Sequence, residues 1–187
     1  LWLIERVMAL LRDLRSRGFL VPLVSVNLSA SQVSSMALAG RVAEMVDSAD
    51  GVQGLEFEVT ETGIMYNFER SVEFMEHLAE RGTTFAVDDF GVGYSSLGYL
   101  QRLPVQCVKI DRAFVENLRS STNDHAIVAA IVAMAHSLGL EVVAEGVELA
   151  GQHAVLKQLG ADAVQGFLFS EPIPIEQVGG YLEGLRR

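Results

Sequence analysis

The chain has 187 residues, carries a net charge of −10, and is half apolar and one fifth charged. That length supports one domain with a substantial core, and the acidic balance argues against a nucleic-acid polymer as partner, because phosphate backbones need a basic face. It leaves room for a small phosphorylated ligand held through metal ions. Cys107 is the only cysteine, which excludes an intramolecular disulfide and fits a reducing, cytoplasmic setting.

Leu1, Ile4, Val7, Met8, Leu11 and Leu14 recur at helical spacing, and Gly18 supplies a stop. The run VPLVSVNLS then reads as a strand and LAGRVAEMVDSADG as a helix. LEFEVTE is a strand, and FERSVEFMEHLAERG a helix with its glycine terminator. TTFAVDDFG is a strand, followed by a short helix, SSLGYLQRLP, that Pro104 ends. VQCVKIDR is a strand before the long helix of NDHAIVAAIVAMAHSLG. LEVVAEG and ELAGQHAVLKQLG form the next pair, and DAVQGFLF with PIEQVGGYLEGLRR the last. Six strand–helix units after a leading helix predict a parallel α/β sheet, doubly wound or closed as a barrel. The strands read as apolar almost throughout, as expected when both faces are covered. No run reaches the roughly 18 apolar residues of a membrane span.

The polar residues choose between the two architectures. Asn27, Glu58, Asp88, Lys109, Glu145 and Gln165 each lie at or near the carboxyl end of a different strand. In a barrel all these ends meet on one face. An open sheet concentrates its site at one switch point. The expected fold is therefore a TIM-like (β/α) barrel. A full barrel needs eight strands and about 250 residues, so an incomplete barrel is expected, with further strands lying upstream of Leu1.

Asn27, Glu58 and the adjacent pair Asp88 and Asp89 offer only oxygen. That disfavours zinc and suits Mg²⁺ or Mn²⁺, with Ca²⁺ as a non-catalytic substitute. Two neighbouring carboxylates can serve two metals, the arrangement used for displacement at phosphorus. Lys109 would stand beside the attacked phosphate or water, and Glu145 would be a ligand or a general base. The bland readings are a solvated strand end for Asp88 and Asp89, a simple Lys109–Asp111 pair, and a helix-dipole role for Glu148. His77, His125, His136 and His153 are scattered over helices and are not expected as ligands. Trp2 and the helical methionines read as packing.

The segments SVNLS, FEVTETG, DDFGVGYSSL, VKIDRAFV, VVAEGVE and QGFLFSEPIP, in this order, resemble the successive motifs of EAL domains, bacterial cyclic di-GMP phosphodiesterases. The resemblance implies one domain over residues 1–187, similar to a TIM barrel with one antiparallel strand. It implies hydrolysis of cyclic di-GMP to linear pGpG with Mg²⁺ or Mn²⁺ and inhibition by Ca²⁺. Asn27, Glu58, Asp88 and Asp89 then match metal ligands, Lys109 a water-positioning lysine, and Glu145 a metal- or water-binding acid. Gln165 matches an active-site amide. Glu61 and Glu148 match acids that hold the loop after DDFG, which joins the site to a homodimer interface. Sensory or GGDEF domains are expected in a parent protein, which could be membrane-anchored. The signature Glu-Ala-Leu does not occur in the chain, so the N-terminal part of the family is expected to be missing. Glu171 and Val92 also depart from the usual residues. The alternatives are a receptor that binds the dinucleotide without turnover, and a metal-dependent barrel enzyme acting on another substrate.

Overall fold

Apolar periodicity places the first helix, α1 (Trp2–Ser16), with Ile4, Val7, Met8, Leu11 and Leu14 turned inward. The computed structural model describes residues 1–20, 23–48, 53–93 and 97–185. After α1 come β1 (Val24–Leu28), α2 (Ala30–Val33), α3 (Met36–Asp47), β2 (Leu55–Thr60), α4 (Glu61–Met65) and α5 (Phe68–Ala79). Then follow β3 (Thr84–Phe90), α6 (Leu97–Leu100), β4 (Cys107–Ile110), α7 (Arg112–Glu116), α8 (Thr122–Ser137), β5 (Glu141–Ala144) and α9 (Ala150–Leu159). The last elements are β6 (Ala163–Val164), a 3-10 turn at Ile175–Gln177 and α10 (Val178–Leu185). No described helix is long and apolar enough to cross a membrane.

The six strands form one sheet in the order β1-β2-β3-β4-β5-β6, and every pairing is parallel. With its interleaved helices this is an incomplete TIM-like barrel. The antiparallel strand that the resemblance implies is not among the six described strands.

Alternation sorts the strands into two unlike faces. One face carries Val26, Leu28, Leu55, Phe57, Val59, Phe85, Val87, Val108, Ile110, Val142 and Ala144, all within the hydrophobic core beneath the helices. Phe85 sits at its centre, 5.8 Å from the Phe57 ring and 6.4 Å from that of Phe74. The opposite face carries Ser25, Asn27, Glu56, Glu58, Asp88, Cys107 and Lys109. Barrel interiors are usually filled by branched apolar side chains. Here that face is polar, which corrects the reading of strands apolar on both sides.

Three short helices that the sequence reading did not separate, α2, α4 and α7, begin directly beyond β1, β2 and β4. Each is opened by a polar residue. Gln32 takes the Ser29 N–H at 2.8 Å, Thr60 accepts from the Gly63 N–H at 3.1 Å, and Asp111 accepts from the Ala113 N–H at 2.7 Å. The caps stop each strand and turn the chain outward at the same level. β6 is shorter than DAVQGFLF predicts. The Leu168 N–H turns back to the Val147 carbonyl at 3.0 Å, which ends the extended run.

Ion pairs tie the first helix and the residue after it to the C-terminal turn and helix. Arg17 bonds Glu183 at 2.6 Å and Arg6 bonds Glu176 at 2.5 Å. Gly179 lies against the Arg17 guanidinium, where a side chain would collide with it.

Candidate functional site

Register brings most of the predicted polar residues to one end of the sheet. Asn27 of β1 is the direct partner of Glu58 of β2. Thr60 pairs with Asp88, so Asp88 stands two residues further along the same inner face than the partner of Glu58. Lys109 of β4 pairs with Val143 of β5, and Glu145 follows two residues later.

Lys109 is the centre of the cluster. It is only 4% exposed and Glu58 only 6%. Its ammonium donates to Glu58 Oε1 at 2.5 Å and is also paired with Glu145. Burial disfavours its charge, but the hydrogen bonds to Glu145 and Glu58 outweigh that and raise its pKa above the ordinary lysine value. Burial likewise pushes the Glu145 carboxyl upward. Lys109 opposes this, while the charges of Asp88 and Glu58 add to it.

The paired aspartates owe their placement to a bulge. Val87 pairs with Val108 and Phe90 with Ile110, so Asp88 and Asp89 together face the single Lys109 position. Asp89 takes φ 53°, a left-handed conformation that no other described non-glycine residue adopts. The extra residue sets two successive aspartates opposite one position of β4, where a regular ladder would set one. Asp88 is half-buried and accepts from the Asp89 N–H at 3.0 Å. The Asp89 carboxyl is raised by burial, by the charge of Asp88 and by a hydrogen bond with Asp111. Asp111 therefore caps α7 and also meets Asp89.

The remaining candidates lie around this cluster. Gln165 is exposed just beyond β6. Its N–H donates to the Ala144 carbonyl at 2.8 Å and its carbonyl accepts from the Val147 N–H at 3.0 Å, clipping it beside the Glu145 loop. Glu61 opens α4, and its carboxylate sits so close to Gly93 that an added Cβ would lie 3.0 Å from it. Glu148 is exposed, with its charge acting on Arg112. The loop after DDFG continues through residues 94–96, outside the described residues. Deeper on the same face, Ser25 donates to Glu56 at 2.8 Å, and burial pushes both the Glu56 carboxyl and the Cys107 thiol upward, the latter to about 12. The sequence reading passed over Glu56. Its two-residue spacing from Glu58 in LEFEVTE was the available sign that both face inward.

The donor chemistry suits a hard divalent cation, since Asn27, Glu58, Asp88 and Asp89 present oxygen and their backbones share one end of the sheet. Among the described residues, however, no group of three or more His, Cys, Asp or Glu is gathered to hold a metal. Lys109 stands between Glu58 and Glu145 and neutralises them instead.

Comparison with known proteins bears on the whole chain. The sequence model of the EAL domain family matches residues 1–172. The chain is 41% identical over 187 residues to the cyclic di-GMP phosphodiesterase NbdA of Pseudomonas aeruginosa, covering 99% of this chain and 24% of NbdA. It spans about a quarter of the length of the first such curated relatives. Among solved structures, the PaMucR phosphodiesterase in complex with c-di-GMP superimposes with a TM-score of 0.89 at 39% identity, over 95% of this chain and 72% of that one. Klebsiella pneumoniae BlrP1, in a calcium and cyclic di-GMP complex, gives 0.77 at 32% identity, over 89% and 42%. The family match begins at residue 1, which corrects the expectation that the family's N-terminal part is missing. The physical reason is visible in α1, whose apolar face belongs to the same core as β1 and β2.

Proposed function

Because the chain belongs to the EAL domain family, we propose that residues 1–187 form one domain that hydrolyses cyclic di-GMP to linear pGpG. The observation that carries this reading is the buried Lys109 held between Glu58 and Glu145, with Asn27 and the bulged Asp88–Asp89 pair at the same end of the sheet. Six side chains from five strands or strand ends have no packing reason to converge there. A site for an anionic diester and its counter-cations gives them one. The phosphodiesterase activities of NbdA and PaMucR, and the calcium and cyclic di-GMP complex of BlrP1, support the same reading.

Asn27, Glu58, Asp88 and Asp89 would hold Mg²⁺ or Mn²⁺, with Ca²⁺ as an inhibitory substitute. When bound, such ions supply charge stabilisation on the phosphate oxygens and lower the pKa of water. Lys109 places a fixed positive charge beside the phosphate, and its low exposure keeps that charge unscreened. Glu145, raised by burial, is suited to accept a proton from water. Gln165 offers an amide to the substrate from the next strand end. Glu61 and Glu148 steady the loop after DDFG, through which a homodimer would form. In its parent protein the domain works in the cytoplasm beside sensory or GGDEF domains.

The test is incubation of the protein with cyclic di-GMP and Mn²⁺, following linear product, with Asp88→Asn as the comparison. Wild type should yield pGpG, and the variant should lose at least about 100-fold, since even outer partners of a metal site contribute 10–100-fold. Equal product from both would overturn the ligand assignment. Binding by both without product would favour a receptor.

A further inference from the structure

One buried side chain that the site does not include fastens the two loops that deliver its central ion pair. Gln152 is the third residue of α9 and only 4% exposed. Its Oε1 accepts from the Glu148 N–H at 2.9 Å and the Leu149 N–H at 2.8 Å. Its Nε2 donates to the Val115 carbonyl at 3.1 Å and the Glu116 carbonyl at 3.4 Å. The first pair are amides at the entry of α9 and the second pair are carbonyls at the exit of α7. Both pairs lie at helix ends, where the intrahelical ladder runs out.

These two ends belong to the segments that leave β4 and β5. Lys109 lies three residues before α7, and Glu145 three residues before Glu148. The two backbones touch further down, where the Glu145 N–H donates to the Ile110 carbonyl at 3.1 Å. Beyond that point the strands diverge, and Gln152 supplies the next bridge between them. Only a primary amide can do so. A carboxylate would accept from the two N–H groups but face two carbonyl oxygens, and an apolar side chain would give up all four bonds, leaving the Val115 carbonyl with the Leu118 N–H at 3.3 Å.

We infer that Gln152 is a positioning residue, holding the Glu145 loop against the α7 segment so that Glu145 stays on Lys109. The inference rests on the reading above for its effect on turnover, but its effect on the ion pair does not. Gln152→Met keeps the volume and removes every hydrogen bond. Gln152→Glu keeps the acceptor and serves where the methionine variant fails to fold. With folding checked by circular dichroism, kcat for cyclic di-GMP should fall about 10–100-fold, the range for groups that orient site residues. KM should stay within about 3-fold, because Gln152 lies behind the site and does not touch the substrate. Independently of turnover, the Lys109 ammonium of wild type should give a slowly exchanging ¹⁵Nζ proton signal, as a buried doubly paired amine does, and this should broaden in the variant. An unchanged Lys109 signal overturns the inference. So does unchanged kcat in a folded variant of an active wild type, or a loss confined to KM. A wild type that makes no product overturns the proposed activity instead, and the Lys109 signal still decides the role of Gln152.

Discussion

Lys109 is the residue on which the cluster depends, because among the described residues it is the one buried cation beside several buried or half-buried acids. Its pairs with Glu58 and Glu145 satisfy two carboxylates that would otherwise repel each other in a poorly solvated place. Removing one partner of such a group costs more than the pair contributes, since the unpaired charge stays behind. Lys109→Met should therefore destabilise the metal-free protein by about 3–5 kcal/mol. Urea unfolding in the presence of a chelator measures this, and a loss under about 1 kcal/mol would mean the carboxylates are better hydrated than their burial indicates. Asp89 acts through its backbone instead. Its left-handed conformation falls within the bulge that sets two aspartates opposite one position of β4.

Elements in this chain are joined by single polar side chains at their ends, and Asp162 is the plainest case. Its Oδ2 accepts from the Val142 N–H at 2.8 Å and meets His136 Nε2 at 2.9 Å, tying the start of β6 to β5 and to the last turn of α8. The hydrogen bond with His136 is the main cause that lowers the Asp162 carboxyl below the usual range, with burial opposing. A carboxyl depressed in the folded state stabilises above its unfolded pKa, near 4, and loses that contribution as pH falls through the depressed value. Asp162→Asn should accordingly lower Tm by a steady amount between about pH 5 and 6. The gap to wild type should close as the pH drops below about 4. A gap that widens in acid would contradict the assignment. The three short helices behind β1, β2 and β4 follow the same logic, each set by one capping group at the height of the site.

Taken whole, the molecule is a sheet whose apolar side is covered by helices and whose polar side faces inward. Its N-terminal and C-terminal segments are linked by Arg17–Glu183, from the residue after α1 to α10, and by Arg6–Glu176, from α1 to the 3-10 turn, although β1 and β6 are not neighbours in the sheet order. If the polar end holds divalent cations, folding and binding are linked across this framework. Mn²⁺ at 100 times its Kd should add about 2.7 kcal/mol to the stability of wild type. Thermal unfolding with and without a chelator reads this shift, and Asp88→Asn should lose most of it. Equal shifts in both proteins would place the ion elsewhere.

Much of this was readable from residue order. The repeating apolar runs and glycine stops specify six strands and their helices, because periodicity and punctuation are local properties of the chain. The polar residue at each strand end pointed to a shared face, and Asn27, Glu58, Asp88, Lys109 and Glu145 do lie at one end of the sheet. Three matters were settled only by packing. The inward face is polar because alternation is read against a sheet that the chain must first form. The bulge at Asp88 and Asp89 exists only relative to the register of β4, which no local pattern in DDFG encodes. Gln152 looks like any glutamine on a helix until four backbone groups, some nearly forty residues away in sequence, are folded around its amide. Composition and spacing fix which groups are available, and burial decides which of them must pair.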